Sequence, residues 1–161
     1  MIKHGFDRVV SLLALISFAP FILLVIIAIL ITGGQAIRSE ACMGESGRMI
    51  RLYRFGRPAA RSPLARRLSV FLAQSGLEDM PLLFNVLRGE LSLIGPRPNR
   101  DPGAPHTMRP GLFTPKAPIA EAQRALDLDY IEHFSLARDA AIARAAICEA
   151  LGLTRTGKRR R

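Results

Sequence analysis

Two features able to do chemistry lie close together in SGLEDMPLLFNVLRGELSLIGPRPNR, residues 75–100. Glu78 and Asp79 form an adjacent carboxylate pair, and Arg97 is held between Pro96 and Pro98. A carboxylate can attack a phosphoryl group to give a covalent acyl phosphate. A carboxylate pair can also hold magnesium, which prefers one or two carboxylates plus substrate phosphate oxygens to an all-protein cage. An arginine fork suits phosphate oxygens bidentately, and flanking prolines leave it less conformational freedom to lose. Together these residues point to an anionic substrate bridged by a cation. Each part also has an ordinary structural explanation. Acidic residues suit the positive end of a helix, Ser75-x-x-Glu78 matches a capping box, and Pro81 fits a helix start. The Pro-Arg-Pro segment could be a rigid surface turn.

The element most plainly written in the chain is apolar. Residues 9–31, VVSLLALISFAPFILLVIIAILI, are 23 residues without a charge, and ~18 or more such residues read as a membrane segment. A cleaved signal has a shorter apolar core and a small-residue cleavage site, so the segment is expected to be retained. Pro20 stands near its middle, with Ser17 and Ala19 ahead of it. An interior proline removes a helical hydrogen bond, and a serine hydroxyl can partner the released carbonyl in lipid. The proline is compatible with a kinked spanning helix or with a re-entrant helix that breaks at Pro20 and returns to the face it entered. Basic residues flank both ends, Lys3 and Arg8 before it and Arg38, Arg48, Arg51 and Arg54 after it. Positive flanks mark the cytoplasmic side, which favours the re-entrant form.

The formal charge of +10 raises nucleic acid as a partner. With two Tyr, eight Phe and no recognisable nucleic-acid motif, the basic surface is better matched to anionic lipid headgroups and phosphate ligands. No nucleic-acid partner is therefore expected. Cys42 and Cys148 lack zinc spacing and read as reduced thiols.

Around these features the chain of 161 residues divides readily. Residues 35–47 are small and turn-rich. Residues 48–55, RMIRLYRF, alternate as a short strand, expected as half of a hairpin. Residues 56–63 form a Pro/Arg-rich loop, and residues 64–74 an amphipathic helix with Leu64, Leu68 and Phe71/Leu72 on one face. A helix is expected over 80–87, a short apolar piece over 90–94, a loop over 99–118, and helices over 120–134 and 137–151. The expected fold is α+β, mainly α: an N-terminal re-entrant membrane helix, then a small helical domain with a short β-hairpin. The corresponding domains are 1–34, 35–154 and a basic tail, 155–161.

Several segments, in order, resemble the bacterial sugar transferases, the small monotopic polyprenyl-phosphate phosphoglycosyl transferases. FDRVVSLLALISFAPFILL is similar to the family's opening, and GRMIRLYRF to G-K-P-F-x-I-Y-K-F-R. SGLEDMPLLFNVLRGELSLIGPRP resembles S-L-D-E-L-P-Q-L-x-N-V-L-x-G-x-M-S-x-I-G-P-R-P, the most distinctive block. MRPGL is similar to the start of R-P-G-I-T-G, and LDLDYIEHFSLARD to D-x-x-Y-v-x-x-x-S-l-x-x-D. The resemblance implies a re-entrant helix and a domain on the cytoplasmic face of the bacterial inner membrane. It also implies magnesium-dependent transfer of a phosphosugar from a nucleotide diphosphate sugar to undecaprenyl phosphate, in exopolysaccharide or glycoconjugate assembly. The implied roles are Glu78 as nucleophile, Glu78 and Asp79 as metal ligands, Arg97, Arg57 and Arg109 as phosphate or substrate contacts, and Pro20 as the membrane-helix break. Membrane lipids and other glycan-assembly enzymes are the implied partners.

The chain departs from the pattern at several positions. The family's Asp-Glu order is reversed in Glu78-Asp79. Ala73 replaces a basic residue, Gly76 a Ser/Thr, Leu82 a glutamine, and Ala19 the serine before Pro20. Gly56 falls where an arginine is usual, with Arg57 adjacent. A working transferase is the leading expectation. The rivals are a non-catalytic relative that binds polyprenyl phosphate or a partner glycosyltransferase and regulates synthesis, and a basic membrane-anchored protein unrelated to sugar transfer.

Overall fold

A computed structural model describes residues 2–58, 62–99, 107–115 and 120–150. Helix α1, Ile2–Ile31, is long and apolar enough to cross a membrane by length and composition. A narrow stripe of it is buried, comprising Asp7, Ser11, Val25 and Ile29, while Phe6, Leu13, Leu24 and Ile31 stand exposed. The α-helix runs through Pro20 rather than ending there, and residues 16–20 are exposed on every side.

A β-hairpin follows. Strand β1, Ile37–Met43, pairs antiparallel with β2, Met49–Phe55, in a register from Ile37↔Phe55 to Met43↔Met49. The strand expected over 48–55 is present, but the turn-rich reading of 35–47 is corrected. IRSEACM has little β propensity of its own, and it is extended because pairing with β2 and burial of Cys42 override that weakness. A 3₁₀ turn, Glu45–Gly47, closes the hairpin with Ser46 in the left-handed region at φ 60°.

Helix α2, Pro63–Ser75, begins as capping rules direct: Ser62 Oγ accepts from the Ala65 N–H at 3.1 Å, and Pro63 occupies the first turn. It ends at Gly76, whose φ of 69° is the left-handed cap that glycine adopts without strain. Its buried residues are Ala65 and Leu72, whereas Leu64, Val70 and Phe71 are exposed. The expected single apolar face is therefore split, with one side packed inward and the other open beside Arg66 and Arg67.

Helix α3, Leu82–Leu87, starts later than the sequence suggested. Strand β3, Ser92–Ile94, runs parallel to β4, Gly111–Phe113. The expected loop over 99–118 thus contains a strand, too short at three residues for any periodicity to show. Helices α4, Ala120–Glu132, and α5, Leu136–Ala150, form where expected. The basic tail, 155–161, lies outside the described residues.

Two apolar clusters hold these elements together. Cys42, Leu52, Leu82, Val86 and Leu91 join the hairpin to α3 and the β3 approach. Val25, Ile29, Phe55 and Leu72 join the second half of α1 to β2 and α2. The first half of α1 docks through polar groups. Asp7 Oδ2 accepts from Ser92 Oγ at 2.5 Å and from the Leu93 N–H at 3.3 Å. Lys3 Nζ lies 2.7 Å from Asp139 Oδ2 and 4.5 Å from the Phe134 ring centroid. Neither cysteine forms a disulfide.

Candidate functional site

Glu78 and Asp79 sit on a 3₁₀ turn, Leu77–Asp79, between α2 and α3. Gly76 ends α2, and the Met80 N–H bonds to Leu77 O at 3.1 Å, so the pair precedes α3 instead of opening it. No capping box forms. Ser75 Oγ donates back to Phe71 O and Leu72 O in the last turn of α2.

The turn lies over the base of the hairpin. One strand face carries Ile50, Leu52 and Arg54 opposite Cys42, Glu40 and Arg38. Its apolar half enters the core beneath α3, and its charged half meets the carboxylate pair. Arg54 Nε is 2.9 Å from Asp79 Oδ1, although the N–H is not aimed well enough for a hydrogen bond. Arg38 Nη2 is 3.9 Å from Glu78 Oε2. Glu40 spans the two guanidiniums, 3.6 Å from Arg38 and 4.0 Å from Arg54. Arg38 and Arg54 are direct cross-strand partners. Like charges so placed repel, and the three carboxylates offset that repulsion.

The two acidic residues have different surroundings. Asp79 Oδ1 is buried, although the side chain as a whole is 41% exposed. Burial raises its carboxyl above the usual range, Arg54 and Arg38 oppose that rise, and Glu78 and Glu40 add to it. Glu78 instead lines a cleft of about 260 Å³ with Arg57, Ala73, Ser69 and Leu72. Gly56 lies in the same wall, and a Cβ there would stand 1.6 Å from Gln35 O. The backbone closes over that position, so the cation on this wall comes from Arg57.

The other sequence-predicted arginines lie elsewhere. The exposed Arg97 is held through its backbone N–H, which donates to Asp127 Oδ1 at 3.2 Å. Arg109 Nε donates to Glu45 Oε2 at 2.8 Å. Asn99, two residues after Arg97, bridges Met43 at the hairpin tip. Five strand residues, on the order of 17 Å, separate Met43 from the Arg38 row. Neither Arg97 nor Arg109 touches the carboxylate pair, and sequence proximity had suggested that Arg97 would. Arg38, Glu40 and Arg54 were missed as site residues. The alternation in β2 places Arg54 beside Leu52, but Arg38 and Glu40 sit in the segment that did not read as a strand.

The carboxylate pair suits magnesium in donor chemistry. It offers two hard, partly exposed carboxylates, with Glu78 only loosely paired. Among the described residues no group of three or more side chains could hold a metal alone, so substrate oxygens and water would complete any coordination.

The family model described as bacterial sugar transferase matches residues 1–152. An uncharacterized sugar transferase of Haemophilus influenzae is 30% identical over 125 residues, 61% of this chain and 26% of its own length. The undecaprenyl-phosphate glucose phosphotransferase of Komagataeibacter xylinus is 32% identical over 129 residues, 71% of this chain and 24% of that protein. The exopolysaccharide production protein PSS of Rhizobium leguminosarum bv. phaseoli is 27% identical over 179 residues, 86% of this chain and 90% of PSS. The chain thus spans about a quarter of the first two relatives and nine-tenths of the third.

Proposed function

The chain belongs to the bacterial sugar transferase family, and on that premise we propose that it transfers a phosphosugar from a nucleotide diphosphate sugar to undecaprenyl phosphate. Relatives named as undecaprenyl-phosphate glucose and galactose phosphotransferases support the acceptor. Two relatives named for exopolysaccharide production support the process. The observation that carries the reading for this chain is Glu78 lining a cleft beside a group of guanidiniums, on a domain packed against a long apolar helix.

In the proposed reaction a Glu78 oxygen attacks the donor's β-phosphorus. The bond from that phosphorus to the bridging oxygen breaks, and the nucleoside monophosphate leaves with the electron pair. An oxygen of the polyprenyl phosphate then attacks the same phosphorus and releases the Glu78 carboxylate. Arg57, in the cleft wall, holds a donor phosphate. Arg97 and Arg109 contribute to substrate binding at the far end of the hairpin. Glu78 and Asp79 would hold magnesium, which when bound supplies neutralisation of phosphate charge.

The membrane arrangement is part of the same proposal. Both halves of α1 pack on one small domain, while residues 16–20 lift clear of it. That pattern supports a re-entrant helix with Pro20 at its tip and the domain on the cytoplasmic face of the inner membrane.

Purified protein incubated with magnesium and a panel of nucleotide sugars should gain the mass of one phosphosugar, and Glu78→Gln should abolish the gain. Ala73 and Gly56, lining the cleft where the family pattern has basic side chains, favour a second reading as a non-catalytic binder. Donor binding without an adduct across the whole panel would establish that reading instead.

A further inference from the structure

Arg38 makes poor use of its donors. Its side chain is 26% exposed, and its contacts to Glu40 and Glu78, at 3.6 and 3.9 Å, are too long for hydrogen bonds. Its Nε is buried and has no hydrogen-bond partner. A guanidinium carries five N–H donors in a fixed fork, and burying such donors unpaired opposes folding. Arg38 also stands directly opposite Arg54 in the hairpin register, where like charges repel. Neither an apolar cluster nor a helix cap depends on it. An oxyanion between the two guanidiniums would accept the N–H groups that the long carboxylate contacts leave unused.

We propose that Arg38, with Arg54 beside it, forms a two-guanidinium receptor for a phosphate group, and that this phosphate draws Arg38 away from Glu78 and frees the carboxylate toward the cleft. Glu40, which spans both guanidiniums, competes with the phosphate for the same donors. The transferase reading bears only on the source of the phosphate, either the diphosphate of a donor or the phosphomonoester of a prenyl acceptor. The receptor itself follows from the packing of the hairpin.

The test uses the full chain in nanodiscs without added magnesium, titrated with inorganic pyrophosphate and, separately, a short-chain prenyl phosphate. Arg38→Ala should weaken one probe roughly 10–100-fold, as expected for lost charge-assisted bonds, and the affected probe identifies the source. Arg38→Lys should recover only part of the loss, because a point charge lacks the fork. Glu40→Gln should tighten the same probe a few-fold, whereas a purely structural bridge predicts weaker binding. Wild-type affinity for both probes in a folded Arg38→Ala overturns the receptor. If that variant does not fold, unchanged or weaker binding in Glu40→Gln overturns it equally. Binding through Arg38 with no phosphosugar adduct from any donor keeps the receptor and removes the transferase reading. An adduct formed while Arg38→Ala binds like wild type does the reverse.

Discussion

Asp79 is a carboxylate whose proton is held more tightly in the folded protein than in the open chain. Burial is the main cause, and Arg54, although 2.9 Å away, does not cancel it. Because the folded-state value is raised, the group favours folding while protonated, below its ordinary carboxylate range. That contribution is lost as pH rises through the raised value. Asp79→Asn should therefore melt at a higher temperature than wild type near pH 7, and the difference should vanish by about pH 3. Thermal unfolding followed by circular dichroism across that range checks the sign. A variant less stable than wild type at neutral pH would mean that the Arg54 contact outweighs the burial. The same contrast separates the two acids functionally, since Glu78 faces the cleft while Asp79 turns one oxygen into the protein.

At the scale of elements, a single buried amide satisfies part of the free edge of the hairpin. Among the described residues, strand β2 has a strand partner on one edge only. On the other edge, Asn85 from α3 accepts from the Tyr53 N–H at 3.1 Å and donates to Arg51 O at 2.6 Å. Its Nδ2 also donates to Glu90 Oε2 at 2.6 Å. Asn85 is fully buried, so truncating it leaves backbone groups unpaired and a small void. Asn85→Ala should cost roughly 2–4 kcal/mol of unfolding free energy, from an unsatisfied donor and an unsatisfied acceptor. Urea unfolding in detergent measures this, and a loss well under ~1 kcal/mol would show that water replaces the amide. Because this clamp also fixes the Arg54 row beneath the Leu77–Asp79 turn, the variant should lose phosphate binding along with stability.

For the whole molecule, the question is how a 30-residue helix serves one small domain. A straight helix of that length spans about 45 Å, more than the ~30 Å hydrocarbon core. Yet Lys3 and Asp7 at one end, and Val25 and Ile29 towards the other, contact the same body. Single cysteines at the exposed positions Gly5 and Ser39, in a background lacking Cys148, should both react with an impermeant reagent from the cytoplasmic side only. Reaction from opposite sides would leave a spanning helix. Pro20→Leu should shift part of the population toward that spanning form, because it restores the helical hydrogen bond missing at the proline.

By itself the sequence determined the features whose signals are local. The apolar run specified the long N-terminal helix, the apolar and basic spacing over 64–74 marked α2, and the alternation in RMIRLYRF marked β2. The carboxylate pair and its cleft-side Arg57 could be named because family motifs are contiguous in the chain. Only the tertiary structure decided what surrounds that pair. Strand β1 has no β signal of its own and forms because β2 supplies its hydrogen-bond partners, so Arg38 and Glu40 reach the site through register. Arg97, close to the pair in sequence, is carried instead to the hairpin tip by the β3 turn and the Asn99 bridge. Spacing along a chain reports contacts within one helix or strand, whereas contacts between elements depend on which groups are buried together, and that depends on all of the elements at once.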